Sequence, residues 1–190
     1  MEQLQAFKSL LAADYRAHYG YKGEARLGAA LLLLPRAMVN PCLHAVCLVR
    51  LMTLSPRWLA PLWRNVLLIK HTCDVGREAD IGPGLDLPHP WGVVLGHAKI
   101  GRNCVLYHNV TIGAQARHQI RPGLHQRAYP IVGDDVVIYC GAVLVGPITI
   151  GDRAIIGANT LVDRDVPADT LVAQADLVEY RLATHSHRVT

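Results

Sequence analysis

The chain has 190 residues, of which 51% are hydrophobic and 18% charged, a balance that excludes a disordered chain and suits one cored domain with or without a helical extension. The net charge is +4, and the cations, fifteen Arg against four Lys, are scattered, which does not argue for a nucleic-acid partner. No apolar run reaches the ~18 residues of a spanning helix; the longest, Leu27 to Pro35, is stopped by Arg26 and Arg36. Met1-Glu2-Gln3 shows no signal-peptide pattern, and the five cysteines (Cys42, Cys47, Cys73, Cys104, Cys140) form no Cys-x-x-Cys pair. An odd, dispersed set of thiols argues against a disulfide framework or a structural zinc site, so a cytoplasmic location is expected. A single Phe leaves the core to Val, Ile, Leu and Ala.

In chain order, residues 1–72 read as a helical segment. Asn40-Pro41 is a helix start: Asn caps free N–H groups, and Pro fits a first turn where its missing N–H costs nothing. Ser55-Pro56 carries the same signal. Between them only His44 and Arg50 interrupt an apolar run from Cys42 to Met52, which predicts a largely buried helix, in a small bundle or at a subunit contact, with a membrane-surface role as the alternative.

From Val75 the period changes to six. Val75, Ile81 and Leu87 are six apart; so are Val94, Ile100, Leu106 and Ile112, and again Val132, Ile138, Leu144, Ile150, Ile156 and Val162. Gly follows the aliphatic residue at Gly76, Gly82, Gly101, Gly113, Gly133, Gly151 and Gly157. This is a solenoid signature, with one short strand and one turn per repeat and three repeats closing a triangular coil. The aliphatic residues stack inside, and the glycines allow tight corners. A prism of fixed width has little room for large rings, which accounts for the missing Phe. The repeat domain is placed at 73–172, with a tail at 173–190. One extra residue falls near Pro88-His89-Pro90, and a longer insertion runs over 114–130. Insertions at the corners of repeat coils often carry function.

His89, between two prolines, sits on a stiff corner, and Asp74 precedes it by fifteen residues, close to one coil. A carboxylate on one imidazole nitrogen leaves the other as a base. On these residues alone, His89 is more readily a solvated turn side chain than a base.

The repeat, His-x-x-Gly-Val-Val-x-Gly at 89–96, Val110-Thr111-Ile112-Gly113 and Val166-Pro167 together resemble the serine acetyltransferases and their relatives over about 73–172. The resemblance is weaker in the helices, at His44-Ala45 and Arg50-Leu51. It implies a left-handed parallel β-helix and acetyl transfer from acetyl-CoA without a metal. It places the catalytic His on His89 and its partner on Asp74. His89 would take the acceptor's hydroxyl proton, and N–H donors would stabilise the oxyanion. The resemblance also implies a homotrimer with the site in the groove between two prisms. The pantetheine arm is expected along Gly113-Ala114, Cys140-Gly141-Ala142 and Gly157-Ala158, although small residues there equally fit tight corners.

The chain departs from that family at Pro88, where an Asp is usual, and at Arg127-Ala128-Tyr129-Pro130, where Asp-Arg-His-Pro is usual. Tyr21-Lys22-Gly23 stands for Arg-Asp-Pro, and Ala173-Gln174-Ala175-Asp176 for the closing Gly-x-Pro-Ala. These departures predict an acceptor other than serine, a saccharide or exopolysaccharide precursor, met by Pro88, Arg117, Arg121, Arg127 and Tyr129. The insertion's Arg residues, with His118 and His125, suit an anionic acceptor or the phosphates of CoA, or are simply solvated. A serine acetyltransferase with a remodelled pocket and a non-catalytic β-helix scaffold are the alternatives. No spanning segment is expected; a lipid-linked acceptor would bring peripheral membrane contact.

Overall fold

The structure is a computed structural model that describes residues 2–20, 39–114, 128–173 and the strand 179–181. Among the described residues three helices precede the repeats: α1 (Glu2–Tyr19), α2 (Pro41–Leu54) and α3 (Ala60–His71). None is long and apolar enough to cross a membrane. Asn40 caps α2 as its sequence predicts, accepting from Cys42 N–H at 2.8 Å and Leu43 N–H at 3.3 Å. Ser55-Pro56 does not start a helix. Ser55 closes α2, with its hydroxyl donating to the Leu51 carbonyl and accepting from Trp63 Nε1–H, so nothing remains to cap α3. Helix α3 starts at Ala60, five residues after Ser55, without a side-chain cap.

Helix α2 is buried from Ala45 to Arg50. Arg50 and Asp14 of α1 form a fully enclosed ion pair, with Nε and NH2 donating to the two carboxylate oxygens at 2.9 Å. Arg50 also donates to the carbonyls of Ile81 and Gly82 at 2.6 Å, and Asp14 accepts from the N–H groups of Gly84 and Leu85 at 2.9 Å. Both buried charges are thus saturated, as burial demands. The network fastens the helices to the first coil just ahead of His89.

The described residues from Asp74 onward form a left-handed parallel β-helix with three faces. Face A stacks β1 (Asp74–Val75), β3 (Val94–Leu95), β6 (Thr111–Gly113), β9 (Val143–Val145) and β12 (Leu161–Val162). Face B stacks β2 (Asp80–Ile81), β4 (Lys99–Ile100), β7 (Ile131–Val132) and β10 (Thr149–Ile150). Face C stacks β5 (Val105–Leu106), β8 (Val137–Ile138), β11 (Ile155–Ile156) and β13 (Thr170–Val172), and β14 (Glu179–Arg181) closes it antiparallel to β13. The tail therefore contributes a strand that no hexapeptide period predicts.

Twelve of the thirteen predicted inward residues are buried. The exception is Val94, 41% exposed, whose place is taken by Leu95 at 2%. The extra residue of the Pro88–Pro90 corner is absorbed one step later than the period implies, with Val75 pairing Leu95 and Leu95 pairing Ile112. Ile112 then pairs Leu144, 32 residues on, because the insertion lies between them; without an insertion Leu144 pairs Val162 at 18.

The corner glycines serve close approach. A Cβ on Gly101 would lie 2.3 Å from the Gly133 carbonyl oxygen of the next coil. The left-handed backbone falls two residues further on, at Asn103, Asp135, Arg153 and Asp169 with φ of 55–58°. Asn and Asp tolerate that region best. Arg153 does not, and it is held there by a two-point bond to Asp169 at 2.6 and 2.7 Å.

Candidate active site

His89 lies exposed on the corner between faces C and A. Its two prolines are pinned from beneath by thiols: Cys42 Sγ–H donates to the Pro88 carbonyl at 3.0 Å, and Cys73 Sγ–H to the Pro90 carbonyl at 3.3 Å. Gly92 N–H is held by Thr72 Oγ1 and the His71 carbonyl at the end of α3. Gly92 has φ +69°, and a side chain there would strike Asn109. The imidazole thus stands on a rigid turn, the condition for a positioned base. All five cysteines are free thiols. Burial pushes Cys47 and Cys104 up to about 11, and raises Cys42 with help from Asp86.

The pairing of Leu106 with Ile138 and of Ile138 with Ile156, continued round the corner, aligns His89, His108, Cys140 and Ala158 in one column up the prism. Gly141 N–H donates to the His108 carbonyl and Asn159 N–H to that of Cys140, in keeping with this register. His108 meets His89 edge-on, ring centres 5.7 Å apart, and its buried Nδ1 has no partner among the described residues. Tyr107 lies 6.1 Å from His89 and stacks on Tyr139 at 5.1 Å. Burial first, then Tyr139, Asp86 and Cys140, raise the Tyr107 phenol above its ordinary value.

The expected Asp74–His89 bond is not formed. Arg64 of α3 donates to both Asp74 oxygens, Nε at 2.8 Å and NH2 at 2.9 Å, and no hydrogen bond or ion pair among the described residues joins Asp74 to His89. A guanidinium fork matches a carboxylate better than one imidazole N–H does, which is the physical reason for the exchange.

Sequence reading missed Asp86. Asp86 is half-buried beside α1 and accepts from His18 Nδ1 at 2.8 Å. Asn40 Nδ2 lies 3.5 Å from His18 Nε2 and donates to the Tyr19 hydroxyl at 2.9 Å. Asp86 and Pro88 flank the inward Leu87, so strand alternation turns both outward. His108 was reachable from sequence by counting one coil forward from His89. His18 was not, because α1 is brought to the corner only by the Asp14–Arg50 clamp.

The predicted donor and acceptor residues divide between two edges of face A. Cys140-Gly141-Ala142, Gly157-Ala158 and Pro88 share the C–A edge with His89. Gly113-Ala114 and Tyr129 lie on the A–B edge, where Tyr129 stacks on His97 at 5.2 Å. The coil itself requires Gly141, whose φ is +71° and whose Cβ would strike Asn159, and crowds Gly157 against Val172 and Ala173. Gly113 is different: among the described residues nothing lies within 4 Å of a Cβ there. Arg117, Arg121, Arg127, His118 and His125, with Tyr21-Lys22-Gly23 and Gln174-Ala175-Asp176, lie outside the described residues.

A three-sided prism of hexapeptide coils with an exposed, proline-braced histidine on one corner defines an acyltransferase-type β-helix. Residues 129–164 match the bacterial transferase hexapeptide family (six repeats). Over 180 residues the chain is 32% identical to a serine acetyltransferase of Synechococcus elongatus, covering 92% of this chain and 69% of that one. A plasmid-encoded serine acetyltransferase of the same organism is likewise 32% identical over 180 residues, 93% of this chain and 56% of its own length. The chain belongs to the serine acetyltransferase family. The solved Neisseria gonorrhoeae serine acetyltransferase in complex with serine superposes with a TM-score of 0.74 at 26% identity, covering 94% of this chain and 72% of that one. Isoform 3 of Entamoeba histolytica, in complex with cysteine, gives 0.71 at 25% identity, over 100% of this chain and 63% of that one. The chain therefore spans between 56% and 72% of the length of these relatives.

These matches overturn the saccharide acceptor. Relatives aligned along nearly the whole chain are named serine acetyltransferases, which favours serine over a saccharide despite the departures at positions 88 and 127–129.

Proposed function

We propose that this protein is a serine O-acetyltransferase: it transfers the acetyl group of acetyl-CoA to the hydroxyl of serine, with His89 as the general base. The observation that carries the reading is the 32% identity, over 180 residues, to a serine acetyltransferase. The exposed His89 on its braced corner supports it. Acetyl-CoA supplies the acetyl group as an activated thioester. His89 accepts the serine hydroxyl proton as the oxygen attacks, and returns it to the departing thiolate. His108 and the Tyr107–Tyr139 stack wall the base on the side facing the next coils, where they exclude water. Asp86, outward like Pro88, offers the carboxylate for the serine ammonium that position 88 lacks.

Small residues suit the donor's arm. Cys140 and Ala158 continue the His89 column, and the open space at Gly113 fits an outside group better than a demand of the coil. The two edges that carry these residues are separated by face A within one protomer. A trimer of prisms would set the Tyr129 edge of one protomer against the His89 edge of the next. Five free thiols suit a reducing compartment, and we place the reaction in the cytoplasm.

The test is thiol release from acetyl-CoA with L-serine, threonine, homoserine and simple sugars as acceptors. Serine should support turnover best, and His89→Ala should lower kcat by about 10²–10⁴, the usual contribution of a general base. Serine-independent release, or unchanged turnover in His89→Ala, refutes the assignment.

A further inference from the structure

We propose that a second site, at the A–B corner near the helices, binds a phosphate-type oxyanion independently of His89. A cavity of ≈ 330 Å³ lies between the start of α3 and the first two coils. Arg57, Arg64, Arg77, His97 and Asn65 line it, and no acidic residue does. Arg64 is committed to Asp74, and His97 lies 3.4 Å from Glu78. The other two cations are not spent. Arg57 is exposed and has no ion pair or hydrogen bond among the described residues. Among the described residues Arg77 makes one long bond, Nη2 to the Ser55 carbonyl at 3.4 Å, and its buried Nε has no partner.

A buried guanidinium N–H without an acceptor costs free energy that a ligand oxygen would recover. Two uncommitted guanidinium groups with no lining carboxylate concentrate positive potential in a walled cavity. The first turn of α3, uncapped, adds to the same sign. The donors arrive from the turn after α2, from α3 and from the coil corner. Groups converging from three elements fit a tetrahedral oxyanion better than a planar carboxylate. Within one protomer the whole of face A separates this cavity from that protomer's His89, which sets its ligand apart from the acceptor that this His89 serves; displacement by CoA or serine would join it instead to a neighbouring protomer's site. We infer free phosphate or a small phosphate monoester.

Titration calorimetry of the intact protein with inorganic phosphate, at constant ionic strength, tests this without any assay of acetyl transfer. Wild type should bind, and Arg57→Ala and Arg77→Met should each weaken binding tenfold or more while leaving the melting temperature in phosphate-free buffer unchanged. If Arg77→Met fails to fold, Arg57→Ala, which removes an exposed and unpaired side chain, decides alone. Saturating CoA should not displace phosphate. Absence of binding by wild type, equal binding by the variants, or displacement by CoA each overturns the proposal, the last by assigning the cavity to the donor's phosphates. Failure of serine acetylation with phosphate binding intact would refute the proposed reaction and leave this site standing.

Discussion

Replacing Asp14 by alanine should cost far more stability than its place on a terminal helix suggests. Its carboxylate is fully enclosed and accepts four hydrogen bonds, two from Arg50 and one each from Gly84 and Leu85. The substitution leaves a buried guanidinium without its counter-charge, a loss of about 3–5 kcal/mol. It also orphans two backbone N–H groups, worth about 1–3 kcal/mol each but not fully additive with the first term. We expect a loss of at least ~4 kcal/mol, a large share of a domain's usual ~5–15 kcal/mol. Urea unfolding followed by circular dichroism at fixed protein concentration measures it. Adding Arg50→Met removes the stranded charge, so the double variant should be less destabilised than the sum of the single variants by ~1.5 kcal/mol or more. A loss below ~1 kcal/mol in Asp14→Ala, or strict additivity, would show that the pair is not the clamp described here.

Gly101→Ala should destabilise by ~2 kcal/mol or more, because its Cβ would strike the next coil; Gly113→Ala, with open space around it, should keep the melting temperature but raise KM for acetyl-CoA. Equal melting temperatures for the two variants would remove the distinction. His44 Nδ1 and His71 Nε2 are 2.8 Å apart, and both imidazoles are held below their ordinary value by burial, with Lys70 and, for His71, His44 adding to it. The unfolded chain therefore binds more protons near the ordinary His pKa of ~6.5, so stability present above that pH falls as pH drops through it. His71→Gln should flatten this fall between about pH 7.5 and 5.5, a range centred on that pKa; parallel slopes would assign the pH dependence elsewhere. Half-buried Cys140 should react with a thiol reagent in the folded protein, and Cys47, Cys73 and Cys104 only on unfolding. Protection of Cys140 by CoA would support the proposed donor track, and its absence would count against it.

How much the sequence determined depends on the range of the interactions. The six-residue period is local and repeated, so the coil, its aliphatic stack and its corner glycines were legible: the inward side chain at Ile138 or Ile156 is set by neighbours six and eighteen residues away. Val94 and Leu95 show the limit, since a corner of irregular length leaves the next strand's phase to whichever residue packs best against Val75 and Ile112. The Asn40 cap was legible because it acts over three residues, whereas Ser55 starts no helix because its hydroxyl donates to the Leu51 carbonyl and accepts from Trp63 Nε1–H, eight residues away. His89 stood out through its flanking prolines. Its surroundings did not, because Asp74 chooses its partner in space, and Arg64 approaches only when α3 packs along the first coil. His18 and Asp86 are brought together across 68 residues, and Arg57 and Arg77 reach one cavity from a helical turn and a coil corner. Periodic local contacts write a repeat fold plainly into a sequence. Charge partners and cavities depend on where separate elements dock, and only the tertiary structure decides that.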